Sequence, residues 1–137
     1  MNIKQALDGA IKKRVKGNTV SHGHCLQTVQ DVLEDVGIKL PSRPASAYIF
    51  PSVCVKSQEF NQAYNMLVGN LGNINLKELP KWSILVWNKT KDHKHGHIEF
   101  VFEDDPSVNK TVSDYIQFDR STYDCQKVPM AIFIPKF

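Results

Sequence analysis

The chain alternates between two hydrophobic rhythms, a helical one in its first half and a strand-like one in its second. Ile3, Leu7, Ala10, Ile11 and Arg14 recur on one stripe, which predicts a helix from about Ile3 to Val15, ended by Gly17 and Asn18. Leu26, Val29, Leu33 and Val36 repeat the same spacing within CLQTVQDVLEDVG. Ser21 is placed to cap that second helix, and Gly37 stands where a left-handed C-terminal cap is expected. Pro41 and Pro44 bar further helix, and SQEFNQAYNMLV predicts a shorter third helix ending near Gly69. Beyond it come a buried-type strand at Ser83–Trp87 and two strands, GHIEFVF and KTVSDYIQF, around the turn EDDPSVN. VPMAIFIP predicts a last strand between two prolines. Helices followed by a run of strands define an α+β domain with an antiparallel sheet. At 137 residues the chain fits one domain spanning 1–137, large enough to bury an ordinary core.

Composition narrows the function classes. No apolar run reaches the roughly 20 residues of a membrane span. The amphipathic N-terminal segment has no secretory core with a small-residue cleavage site. A net charge of +3, with Lys12, Lys13, Arg14 and Lys16 grouped, suits a solvated helix face or contact with an anionic polymer. No nucleic-acid motif accompanies it. The expectation is a monomer made in the cytoplasm, with no nucleic-acid and no membrane partner. The three cysteines, Cys25, Cys54 and Cys125, lack the even count of a disulfide framework. Cys54 and Cys125 are read as ordinary buried thiols, with a bridge between them left open.

Cys25 carries the chemistry. It falls in the first turn of the second helix, where unpaired N–H groups and the helix dipole favour a thiolate, the nucleophilic form. A hairpin turn centred on Asp105 and Pro106 opposes His97 to Asp114 across two strands, close enough for the carboxylate to orient the ring. A one-residue slip would abolish that pairing. Glu99, on the His97 face two residues along, is the competing orienter. The catalytic set read from the residues is Cys25, His97 and Asp114.

GHC opening an apolar helix, then LPKWSILVW, HGHIEFV and VSDYIQ, resembles the CHAP and NlpC-type cysteine peptidases of the papain-like superfamily over about Ser21 to Gln117. The resemblance implies a papain-like α+β fold with N-terminal helices packed on the antiparallel sheet. It places the nucleophile at Cys25, the base at His97 after Gly96, and a polar third member at Asp114. It implies a hydrolase cutting an amide bond in peptidoglycan stem peptides or cross-bridges, as in phage lysins and injected antibacterial toxins. No cofactor and no metal is implied. The implied partners are the peptidoglycan peptide and, for a toxin, an immunity protein blocking the cleft. Such an enzyme acts in the periplasm or cell wall after delivery by a holin or a secretion apparatus. Departures are Pro80-Lys81-Trp82-Ser83 where the family often has Pro-Gly-Asp, and Glu99 where it often has a small residue. Gln117, or a residue just before Cys25, is a candidate second oxyanion donor.

Two other classes stand beside this reading. His22, His24 and Cys25, with His93, His95 and His97 alternating on one strand face, offer the ligand types of a zinc peptidase, and the seven-residue step from His24 to Asp31 fits such a motif only in part. A non-catalytic wall- or protein-binding module would use Trp82, Trp87, Tyr48 and Tyr115 as contact aromatics, although such residues are more often core. Bond specificity is assigned to loops such as Arg43 to Lys56.

Overall fold

The computed structural model describes all residues except 1, 18, 20–22, 104–109, 118–122 and 124–125. Helix α1 spans Ile3–Val15, as its apolar stripe requires, with the Asn2 side chain accepting from Gln5 N–H at 2.8 Å. Helix α2 spans Cys25–Asp35. Its N-cap is His24, with no side-chain cap bond, three residues later than the expected Ser21, which lies outside the described residues. Gly23 takes a positive φ of 75° and Gly37 one of 89°, the latter in the predicted cap position.

The segment after Pro44 is more ordered than a loop. A 3-10 turn at Ala47–Ile49 leads into α3, Phe50–Cys54, which sends Phe50 and Cys54 into the core. The predicted third helix is half helix and half strand. Helix α4 covers only Gln58–Ala63, and Tyr64–Leu67 form β1. The extended ending is fixed by pairing with the last strand, with Tyr64 opposite Pro135 and Leu67 opposite Ile132.

The remaining strands are β2 Ile84–Trp87, β3 His97–Val101, β4 Thr111–Val112, β5 Ile116–Gln117 and β6 Ala131–Pro135. They form one six-stranded sheet in the order β1-β6-β2-β3-β4-β5, every neighbouring pair antiparallel. The predicted single strand KTVSDYIQF is instead two short strands, β4 and β5, folded on each other around 113–115.

Alternation divides the strands between two apolar layers. Ile84, Val86, Ile98, Phe100, Val112, Ala131 and Phe133 meet the helices through Leu7, Ile11, Val29 and Leu33. Leu85, Trp87, Val101 and Ile132 lie in a second cluster with Leu71, Leu76 and Leu79. A fully buried Leu, Ile or Phe contributes roughly 1.5–3 kcal/mol by removal from water, so each face is anchored by several such side chains. Arg43 pairs with Asp31 and Glu34, each at 2.7 Å, and Arg14 pairs with Asp35, tying α1 and the 43–47 segment to α2. These bonds hold the C-terminal half of α2, opposite the end that carries Cys25. The chain is thus α+β with N-terminal helices and an antiparallel sheet. Among the described residues no helix is long and apolar enough to cross a membrane.

Candidate active site

Cys25 is the first residue of α2, at the position where a helix leaves its N–H groups without internal acceptors. His97 is the first residue of β3. Strand alternation turns His97 and Glu99 to the same face, away from Ile98 and Phe100. On the neighbouring strand His97 stands opposite Trp87 and Glu99 opposite Leu85. This explains how two polar residues come to be buried: His97 is 3% and Glu99 2% exposed.

The His97 ring is held from several sides. Its Nε2 lies 2.8 Å from Glu99 Oε1 and 2.9 Å from Gln117 Oε1. A carboxylate and an amide oxygen only accept, so Nε2 carries the hydrogen. That leaves Nδ1 as the acceptor in the neutral ring, and the Cys25 thiol is hydrogen-bonded to the same ring. Tyr123 stacks on the imidazole with ring centroids 4.3 Å apart and planes 6° from parallel. Burial by itself lowers the His97 pKa, but the hydrogen bonds and charges of Cys25 and Glu99 outweigh it, so the protonated ring is favoured. Burial, and after it the Glu99 charge, push the Tyr115 hydroxyl up, so it stays neutral beside the ring.

Asp114 is placed differently from the sequence expectation. The β3–β4 ladder pairs Phe100 with Val112 and Val101 with Thr111, one residue out of the predicted register, and β4 ends at Val112. Continued further, that register would oppose His97 to Tyr115. Asp114 instead sits in the β4–β5 turn and accepts the backbone N–H of His24 through Oδ2 at 3.1 Å. It anchors the residue just before Cys25. The turn centre at Asp105 and Pro106, from which the register was inferred, lies outside the described residues.

Gly96 makes the approach of His97 possible. Its φ is +70°, and a Cβ there would stand 2.4 Å from the Trp87 carbonyl oxygen. Only glycine fits between the two backbones.

The histidine clusters are dispersed among different partners. His93 Nδ1 meets the Tyr123 hydroxyl at 3.2 Å, and His95 Nδ1 meets Ser46 Oγ at 2.5 Å. Among the described residues no three His, Cys, Asp or Glu side chains converge as a metal-ligand set, and His22 is not among those residues. Of the oxyanion donors considered, the His24 N–H is taken by Asp114 and Gln117 is engaged at the His97 ring. Cys54 is fully buried, and burial pushes its thiol pKa up. Cys125 lies outside the described residues.

Two recesses meet at Cys25, and Gly23, Cys25 and His95 line both. The wider, about 500 Å³, contains His97, His93, Tyr115 and Tyr123. The narrower, about 260 Å³, runs along α2 to Gln30 and is walled by Pro44, Ala45 and Ala47. Reading the sequence missed Tyr123. A single tyrosine far along the chain has no spacing signal.

No protein-family profile matches the chain, and no curated protein does. Solved structures do. A chain of the type VI native effector–immunity complex Tae3–Tai3 from Ralstonia pickettii is similar at TM-score 0.63 and 20% identity, covering 97% of this chain and 97% of that one. A chain of the selenomethionine form of that complex gives TM-score 0.64 and 18% identity over 96% of this chain and 99% of that one. At these identities the likeness is one of fold, and it spans nearly the whole chain.

Proposed function

We propose that this protein is a cysteine amidase that cuts an amide bond in the peptide part of bacterial cell wall and acts as an antibacterial effector. The observation that carries the reading is Cys25 at the start of α2, hydrogen-bonded to a His97 ring whose far nitrogen is held by Glu99 and Gln117. A nucleophile, a base and an orienter in series are what acyl transfer requires. The proposed set is Cys25, His97 and Glu99, with Asp114 positioning the turn before Cys25. The cell-wall substrate comes from the resemblance to CHAP and NlpC-type peptidases. The effector role draws on the fold shared with a chain of an effector–immunity complex.

In this mechanism the Cys25 proton already rests on His97 Nδ1 as a thiolate–imidazolium pair, and the sulfur attacks the scissile carbonyl carbon, forming a C–S bond. The Cys25 backbone N–H, at the helix start, stabilises the oxyanion. The tetrahedral species collapses, the C–N bond breaks, and the leaving amine takes the proton from Nδ1. Water then gives a proton to Nδ1, attacks the thioester and releases the acid and the free thiol. Glu99 keeps Nε2 protonated throughout and stabilises the imidazolium.

The partner class follows from the same reading. An immunity protein would cover the two recesses beside Cys25, protecting the producing cell while the toxin reaches a competitor's periplasm through a secretion apparatus. Digestion of purified peptidoglycan tests the activity, with soluble muropeptides expected from the unaltered protein and none from Cys25→Ala.

A further inference from the structure

The basic residues that close α1 are not all matched. Lys12 pairs with Asp8 at 3.7 Å, and Arg14 pairs with Asp35. Lys13 is exposed and has neither an ion pair nor a hydrogen bond among the described residues. It lines a third recess, of about 490 Å³, together with Arg14, His24, Gln27, Thr28 and Asp31. The side chains of His24, Gln27 and Thr28 are likewise unengaged among the described residues, and none of the three is buried. The one carboxylate in the recess, Asp31, is already matched by Arg43 at 2.7 Å and Arg14 at 3.9 Å. The recess therefore offers an uncommitted ammonium and further hydrogen-bond donors, the complement of an anion.

Its place beside Cys25 decides which part of a substrate reaches it. His24 and Gln27 also line the narrower recess, which contains Cys25. In the mechanism above His97 delivers its proton to the leaving amine, and His97 lines the wider recess. The amine side of the scissile bond thus lies in the wider recess. The acyl side runs through the narrower one towards Lys13. Between Cys25 and Asp31 the helix rises roughly 9 Å, the reach of about two to three extended peptide residues.

We propose that the Lys13 recess is an anion subsite, taking a free carboxylate of the substrate peptide within about three residues of the cut on its acyl side. Lys13 supplies the counter-charge, and Gln27 and Thr28 supply donors. This rests on the amidase reading above and names a feature of its substrate. The site is open to water, so the gain is modest and weakens with salt.

The test begins with muropeptides released by the unaltered protein, which identify the bond cut and the residues on its acyl side. Two synthetic peptides of that sequence follow, one with the acyl-side carboxylate free and one with it converted to a carboxamide. The unaltered protein is expected to show a kcat/KM about 5- to 10-fold lower on the carboxamide, mostly through KM. Lys13→Gln should lose a similar factor on the free acid, and the two proteins should agree within about twofold on the carboxamide. Lys12→Gln removes the same charge outside the recess and should stay within about twofold of the unaltered protein on both peptides. Both variants should keep Tm within about 2 °C, because both lysines are exposed. Equal losses in Lys12→Gln and Lys13→Gln would mean general attraction to an anionic polymer and would overturn the subsite. So would a Lys13→Gln loss that is the same on both peptides, or natural cuts with no free carboxylate within reach on the acyl side. No cleavage by the unaltered protein would refute the amidase reading itself, whereas cleavage with Lys13→Gln unimpaired would refute only this recess.

Discussion

The Nε2 of His97 lies 2.8 Å from Oε1 of Glu99, two residues along the same strand, with both side chains almost wholly buried. The contact needs no turn geometry or strand register, only the two-residue repeat of an extended chain. It sets Glu99 against the His97 ring, while Asp114 accepts from the His24 N–H.

The two carboxylates should therefore fail in different ways. Glu99→Gln retains an acceptor but loses the charge that stabilises the imidazolium, and should lower kcat by roughly two orders of magnitude. Asp114→Asn keeps an acceptor for His24 N–H and should be mild. Asp114→Ala should cost about 1 kcal/mol of stability by leaving that N–H unpaired. Steady-state kinetics with urea denaturation of each variant decides between them. A larger kcat loss for Asp114→Asn than for Glu99→Gln would restore Asp114 as the orienter.

The pH profile should carry the same signature. Because Cys25 and Glu99 outweigh burial and raise the His97 pKa from 6.5 towards about 10, the imidazolium that the proposed mechanism uses to protonate the leaving amine persists through neutral pH. The alkaline fall of kcat/KM should lie well above 6.5, and Glu99→Gln should move it down towards neutrality. Stability follows the same sign. A folded-state pKa above the unfolded one contributes fully below 6.5 and is lost as pH rises towards about 10. An alkaline limb near 6.5 in the unaltered protein would contradict the raised value.

Much of this arrangement was legible in the sequence, and the failures share one cause. Helix α1, Cys25 at the start of α2, the β2 and β3 strands and the left-handed Gly37 all follow from local periodicity and backbone preference. Tyr64–Leu67 continue a helical pattern on paper, but pairing with β6, more than sixty residues later in the chain, pulls them into the sheet edge. The Asp114 pairing depended on a turn register, and a shift of one residue between β3 and β4 was enough to undo it. Tyr123 becomes meaningful only through its neighbours in space. What one element decides alone could be read; what two distant elements decide together could not.

Gly96 should tolerate no side chain. Alanine there combines a φ of +70° with a Cβ 2.4 Å from the Trp87 carbonyl oxygen. Gly96→Ala should cost about 1–3 kcal/mol in stability and displace His97, so activity should fall further than the stability loss explains. Thermal unfolding paired with kinetics at a temperature where the variant is fully folded would measure both. Unchanged Tm and turnover would show that the backbone approach is unimportant.

Thiol chemistry should distinguish the cysteines. Cys25 is partly exposed at the cleft and bonded to His97, whereas Cys54 is fully buried with its thiol pKa pushed up. Iodoacetamide should modify Cys25 at least about 100-fold faster than Cys54 in the folded protein. Peptide mapping after timed labelling reads the ratio, and equal rates at the two positions would count against Cys25 as the nucleophile.

The most direct test of the amidase account is mass spectrometry of the products released from purified peptidoglycan. The unaltered protein should release muropeptides whose masses place the cut at a single type of amide bond, each cut adding one water. Cys25→Ala, folded to the same Tm within a degree or two, should release none. Equal release by Cys25→Ala, or no release by the unaltered protein on walls that other amidases digest, would contradict the central claim.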